Sequence, residues 1–288
     1  MIEYMMCYKL MSLIVALMVA TISWGQIWME PLHTTGKTSF AIVADLTTWQ
    51  KCQAEILRYR DVLEAEQLPS YIVADRWKHP EQLREILLKL YNEQHLEGAV
   101  FIGDIPIPMI RKAQHMTSAF KMDEKKYPMI RSSVPSDRFY DDFDLKFDFL
   151  KQDSLNPLMF YYNLSAVSPQ DIRCDIYTGR IKPVISEGLD KYQQIRDYLS
   201  KAVAAHQEAN RLDQFVSYTG EGSYSNSLTA WRAEQQTLRE QLPGVFDRKN
   251  NARFMRYSMW DYPKEEVIAA LQREDLDMLI FHEHGMPY

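Results

Sequence analysis

Short apolar runs alternate along this chain with longer stretches in which apolar residues recur every three or four positions. In residues 39–46 the run Phe40, Ala41, Ile42, Val43, Ala44 predicts a strand covered on both faces, closed by Asp45. Trp49, Cys52, Ile56, Tyr59 and Leu63 follow at helical spacing, and Thr47 with Gln50 offers a capping box, so an amphipathic helix comes next. The pattern then repeats. Residues 71–74 predict a second strand ended by Asp75, Pro80 opens a helix with the stripe Leu83, Ile86, Leu87, Leu90 and Tyr91, and residues 98–104 predict a third strand. A proline in the first helical turn costs nothing, because the N–H it lacks would be unbonded there. Strands that each close on an Asp and are separated by helices predict a parallel sheet in a layered α/β domain, whose ligands gather at the carboxyl ends of the strands.

Residues 105–170 break this rhythm. They carry tyrosines, prolines and the acidic series Asp137, Asp141, Asp142, Asp144 and Asp148 without a helical stripe, and predict a long, partly ordered insertion over the carboxyl edge of the sheet. Residues 175–181 predict a fourth strand, in which Gly179 permits close approach. Ser186 is placed to cap the next helix, with Leu189, Tyr192, Ile195, Leu199 and Val203 inward, and the helix ends near Asn210. A second series starts there: a strand at 215–218, a turn Gly220-Glu221-Gly222-Ser223, and a helix with Leu228, Trp231, Leu238 and Leu242 on one side. A strand at 253–259, a helix opened by Pro263 and carrying Val267, Ile268 and Leu271, and a strand at 278–281 complete it. The expected organisation is a first α/β subdomain at 39–210 and the N-terminal part of a second at 211–288.

Composition narrows the classes. At 46% hydrophobic and 25% charged the 288 residues are those of a folded globular protein. A net charge of −6 without a Lys/Arg run lacks the footprint that phosphate backbones require, so nucleic acid is set aside as a partner. Residues 10–22 carry no charge, follow Lys9 and precede Ser23-Trp24-Gly25, which is the plan of a signal peptide over 1–25 cut before Gln26. An uncleaved anchor or a buried N-terminal helix are the alternatives, although a span needs about 20 apolar residues. The expectation is therefore export to the extracellular space, periplasm or cell surface, with no stable membrane span after cleavage and an exposed lead-in at 26–38. Of Cys7, Cys52 and Cys174 the first leaves with the leader. The remaining two permit at most one disulfide and exclude a cysteine-built zinc site.

Several features could carry chemistry, each beside a plainer structural reading. The Gly220 to Ser223 turn could cradle a phosphate, but it lacks a third glycine and a P-loop lysine, and a tight strand-to-helix turn accounts for it. His282 and His284 lie two apart on a strand and could share a metal, or be hydrogen-bonded structural residues. The acidic series could hold calcium through carboxylate oxygens, or form a solvated loop, and it does not match EF-hand spacing. No cofactor is assigned, and calcium is not assignable to particular ligands.

Taken in order, Gly98-Ala-Val-Phe-Ile-Gly-Asp104, Pro135-Ser-Asp137 with Tyr140, Asp175-Ile-Tyr-Thr-Gly-Arg-Ile181 with its helix, the Gly220 to Ser223 turn and His284-Gly285 resemble the gingipain-like cysteine peptidases of the caspase-like clan. The resemblance covers about residues 98–285 and lies in order and spacing rather than in one motif. It implies a three-layer α/β/α sandwich with a mostly parallel sheet in two side-by-side subdomains, here with the second incomplete. By that likeness His284 is the catalytic imidazole, serving thiol attack and amine departure. Gly285 lends its backbone N–H to the oxyanion hole, and Asp137 lies near the pocket for the residue before the cut. Glu283 departs from the family's small residue before the histidine, and no cysteine follows His284. Cys52 and Cys174 stand before it and read as structural.

The expectation is thus the N-terminal part of an exported cysteine endopeptidase acting on a protein or peptide substrate, inactive as these 288 residues alone. The alternative is a non-catalytic exported α/β protein that uses the Tyr- and Asp-rich insertion as its contact face.

Overall fold

The computed structural model describes residues 25–117, 121–183, 188–208, 214–219, 227–241, 253–256, 264–273 and 276–282. The protein is α/β with mixed sheets and divides into two compact units, Met1–Glu208 and Ala209–Tyr288.

In the first unit β1 (Ile27–Met29), β2 (Ser39–Asp45), β3 (Ser70–Asp75), β4 (Leu96–Ile102) and β9 (Tyr177–Ile181) form one sheet in the order β1-β3-β2-β4-β9. All neighbours are parallel except β1, which runs antiparallel to β3 with Ile27 opposite Ala74. The continuous apolar runs arise because both faces are covered. Phe40, Ile42, Ala44, Val100 and Ile102 pack against Trp49, Cys52 and Ile56 of α1 (Leu46–Ala65) and against Ile195 and Leu199 of α5 (Lys191–Gln207). Ala41, Val43, Ala99 and Phe101 alternate to the other face, against Leu83, Leu87 and Leu90 of α2 (Pro80–Gln94). Each such Leu, Ile or Phe removed from water contributes about 1.5–3 kcal/mol.

The same face also receives a second sheet, built from the stretch expected to be a partly ordered insertion over the carboxyl edge. Its strands β5 (Ile107–Arg111), β6 (Val134–Pro135), β7 (Phe147–Gln152) and β8 (Met159–Leu164) run in the order β6-β5-β8-β7. The short helices α3 (Met129–Ser132) and α4 (Arg138–Asp141) lie between them in sequence. Phe139, Tyr140, Phe160 and Tyr162 join the core of the first sheet beside α2. The strands escape a periodicity search because they are short and, on β8, aromatic on both faces: Phe160, Tyr161 and Tyr162 are all buried.

Other expectations change locally. The lead-in at 26–38 is held by β1 and by the Glu64 carboxylate, which accepts from the main-chain N–H groups of Leu32 and His33 at 3.0–3.2 Å. α1 is capped by Asp45 rather than Thr47, its carboxylate accepting from the Thr48 N–H at 2.9 Å. Ser186 lies outside the described residues; α5 starts at Lys191 with Asp190 as its cap, and Leu189 is exposed. Gly98 has a steric reason, because a Cβ there would stand 2.3 Å from the ring of Tyr177, whose hydroxyl donates to Glu97 at 2.7 Å.

The second unit has a parallel sheet of β10 (Phe215–Thr219), β11 (Arg253–Arg256) and β12 (Met278–His282) in the order β11-β10-β12. Helix α6 (Ser227–Gln241) and helix α7 (Lys264–Leu271) connect them, and Val216 and Tyr218 pack on Val267 and Ala270 of α7. Tyr218 stacks on Phe281 with ring centroids 5.0 Å apart.

Candidate functional site

Both units wind alike. The chain starts in a central strand, crosses by a helix to one neighbour, and crosses back to the other side: β2 to β3 to β4 in the first unit, β10 to β11 to β12 in the second. In a sheet wound this way a crevice opens at the carboxyl end, between the first strand and the third, where the connections part in opposite directions.

In the first unit this crevice lies between the ends of β2 and β4, and Asp45 fills it. One carboxylate oxygen caps Thr48 N; the other accepts from Thr48 Oγ1 at 2.5 Å and from Asp104 N at 2.8 Å. The helix N-terminus, a ready anion site, is thereby given an internal carboxylate. Gly103 makes the approach feasible: its φ is +86°, and a Cβ would stand 2.3 Å from Asp45 Oδ2 and from Thr48 Oγ1.

In the second unit the corresponding strands are β10 and β12, whose ends are in register, Thr219 opposite His282, with Arg256 of β11 opposite Thr219 on the far side. Their starts are pinned as well. Asp277 accepts from Gln214 N at 2.8 Å and returns its own N–H to Gln214 O at 3.0 Å. His284 and Gly285 follow β12 in sequence and lie outside the described residues, as do the residues of the Gly220 to Ser223 turn.

Asp137, expected beside a substrate pocket, has an internal partner. Arg180 Nε lies 2.8 Å from Asp137 Oδ2 and Arg180 Nη2 lies 2.7 Å from Asp137 Oδ1, a two-pronged pair that leaves Asp137 little free charge. Arg180 also donates to the carbonyls of Ile105 at 3.0 Å and Pro106 at 2.8 Å, and its guanidinium lies 5.3 Å from the centre of the Phe101 ring. Sequence reasoning passed over Arg180; the signal present was a lone arginine in a strand of otherwise uncharged residues.

The acidic series separates into unlike environments. Asp141 and Asp142 are buried, and burial drives the Asp141 carboxyl up to about 6 against the pull of Thr178 and Arg138. Asp142 is also raised, again by burial first, although the Arg173 N–H donates to it at 2.7 Å. Arg84 lies beneath this turn and donates to the carbonyls of Asp142, Phe143 and Leu145 at 2.8–3.1 Å, its burial holding its pKa below the ordinary arginine value. Among the described residues no group of three or more His, Cys, Asp or Glu side chains is arranged to hold a metal ion. Two of the three cysteines are described. Cys52 is sealed in the core, where burial raises its thiol pKa, and Cys174 is exposed with its sulfur against Arg138 Nη1.

Among the described residues no helix is long and apolar enough to cross a membrane. No family model matches the chain, and neither a curated protein nor a solved structure matches it.

Proposed function

We propose that this protein is an exported cysteine-type endopeptidase of the gingipain-like class, with a caspase-like fold. In this reading His284 moves the protons of thiol attack and amine departure, and Gly285 offers its N–H to the developing oxyanion. The supporting observation is the winding of the second unit. Parallel strands β10 and β12 end in register at Thr219 and His282, at the switch point of the sheet, and the His284-Gly285 pair follows two residues on. The reading requires a thiol nucleophile that neither Cys52 nor Cys174 provides, since the resemblance sets the nucleophile after the histidine. Asp137 enters as a residue that positions β9 through Arg180.

An electrophilic peptide probe, such as an acyloxymethyl ketone, applied to the product of the full coding sequence tests this. The expected result is a covalent adduct on a cysteine C-terminal to His284, slowed about 100-fold or more by His284→Ala. A folded product that forms no adduct with a panel of peptide probes overturns it.

A second reading, a non-catalytic exported binding protein, is favoured by the second sheet, where Phe149 and Leu150 of β7 and Leu155 in the turn that follows it are exposed. It expects no adduct, together with capture of a protein ligand that is lost on Phe149→Lys.

A further inference from the structure

Beside the filled crevice of the first unit is a second opening, between the end of β9 and the first turns of α5. It holds about 510 Å3 of free space open to solvent and is lined by Ile181, Lys182, Gln194, Ile195 and Tyr198. Three cations stand near this end of the sheet. Arg180 is bound by Asp137 and also donates to the carbonyls of Ile105 and Pro106. Lys191 is bound by Asp104 at 2.5 Å. Lys182 has no carboxylate within ion-pair distance among the described residues. Its ammonium is held below the ordinary lysine value, first by partial withdrawal from water and then by the like charges of Arg180 and Lys191, against the opposing pull of Asp104.

We propose that this cleft binds an oxyanion, a carboxylate or a phosphate, paired by the Lys182 ammonium. A carboxylate ligand would repeat the pattern of the two neighbouring pairs and supply the opposite charge that no described residue brings to Lys182 within ion-pair distance. Ile181, half-buried at the end of β9, offers an apolar surface to an anion carrying a short apolar chain, such as an organic acid. Tyr198 lies at the rim, more than half exposed, where its hydroxyl is available to a polar end of the ligand. The site does not depend on the peptidase reading: it lies in the first unit and involves neither histidine nor thiol chemistry.

Competitive acylation of the folded full-length chain tests it. Lysines are acetylated at pH 8 with an N-hydroxysuccinimide ester, and peptide mass spectrometry follows Lys182 against the exposed Lys51, with and without sodium phosphate or sodium butyrate at matched ionic strength. The expected result is faster modification of Lys182 than of Lys51, falling about tenfold for Lys182 alone once the site is mostly filled. Protection by butyrate assigns an organic carboxylate, and protection by phosphate alone assigns a phosphate. Protection by neither, or an equal slowing of Lys51 and Lys182, overturns the site. Calorimetric titration gives the second check: Lys182→Gln should abolish the heat of binding while Lys51→Gln retains it, and equal binding by both variants also overturns it.

Discussion

The Asp141 carboxylate accepts a hydrogen bond of 2.7 Å from the Thr178 hydroxyl, which joins the turn of α4 to the edge strand β9. Arg138 pairs with the same oxygen at 2.8 Å, and the Asp141 carbonyl accepts the N–H of Asp175 at 2.8 Å. The other carboxylate oxygen has no hydrogen-bond partner among the described residues. A buried charge so incompletely bonded is disfavoured, hence the upward displacement of the Asp141 carboxyl.

A pH dependence of stability follows, with a definite sign. Because the folded value, about 6, lies above the ordinary 3.8, the folded protein keeps a proton that the unfolded chain releases, and stability falls as pH rises through that window. The difference corresponds to roughly 3 kcal/mol at most. Asp142 contributes in the same direction. Urea unfolding between pH 4 and pH 7 should show this decline, and Asp141→Asn should flatten most of it; an unchanged slope in the variant would refute the account.

Arg180 is predicted to resist conservative replacement. Lysine cannot reproduce the fork that holds both oxygens of Asp137 while reaching two carbonyls. Arg180→Lys should destabilise by about 2–3 kcal/mol, below the range for a fully buried pair because both side chains are about one-fifth exposed. Asp137→Asn should cost less, since its amide oxygen still accepts one bond. Equal stability of Arg180→Lys and wild type in guanidinium unfolding would show the fork to be dispensable.

Gly103→Ala should be among the most damaging single changes in the first unit. The new methyl would meet Asp45 and Thr48 at a backbone angle that side chains rarely adopt. A loss of about 2–4 kcal/mol is expected. Pairing it with Asp45→Ala should cost less than the sum of the two single changes, because the carboxylate in its path is gone; strict additivity in a double-mutant cycle would contradict the steric cause.

Thiol chemistry should divide the two described cysteines. Cys174 is exposed beside the Arg138 guanidinium and should alkylate in the folded protein, whereas Cys52 should react only on unfolding. Peptide mapping after iodoacetamide treatment with and without urea reads this directly. Native labelling of Cys52 would place it outside the core.

The sequence made the parallel framework legible because both-face burial leaves runs such as Phe40 to Ala44 that nothing else explains. Helix stripes such as Leu83, Leu87 and Leu90 were equally plain, for each lies wholly within the core. The second sheet was hidden for a physical reason. β6 has two residues and pairs antiparallel with β5, so most of its definition comes from partners distant in the chain. Caps were misassigned where several polar residues stood together: Asp45 was available as a strand terminator, and only the approach of Asp104 in space reveals its second task. For the candidate site, the pairing of Asp137 with Arg180 joins residues 43 positions apart and could not be read from spacing. The histidine-glycine pair remains a sequence argument supported by the register of β10 with β12.

Strand β1 closes one edge of the first sheet. Its three residues are zipped to β3 only two positions after Gly25, and Glu64 grips the main chain again at Leu32 and His33. Without residues 27–29 the outer backbone groups of β3 would lie open as a pairing edge, so this short strand serves as a guard against strand-to-strand association of the first sheet.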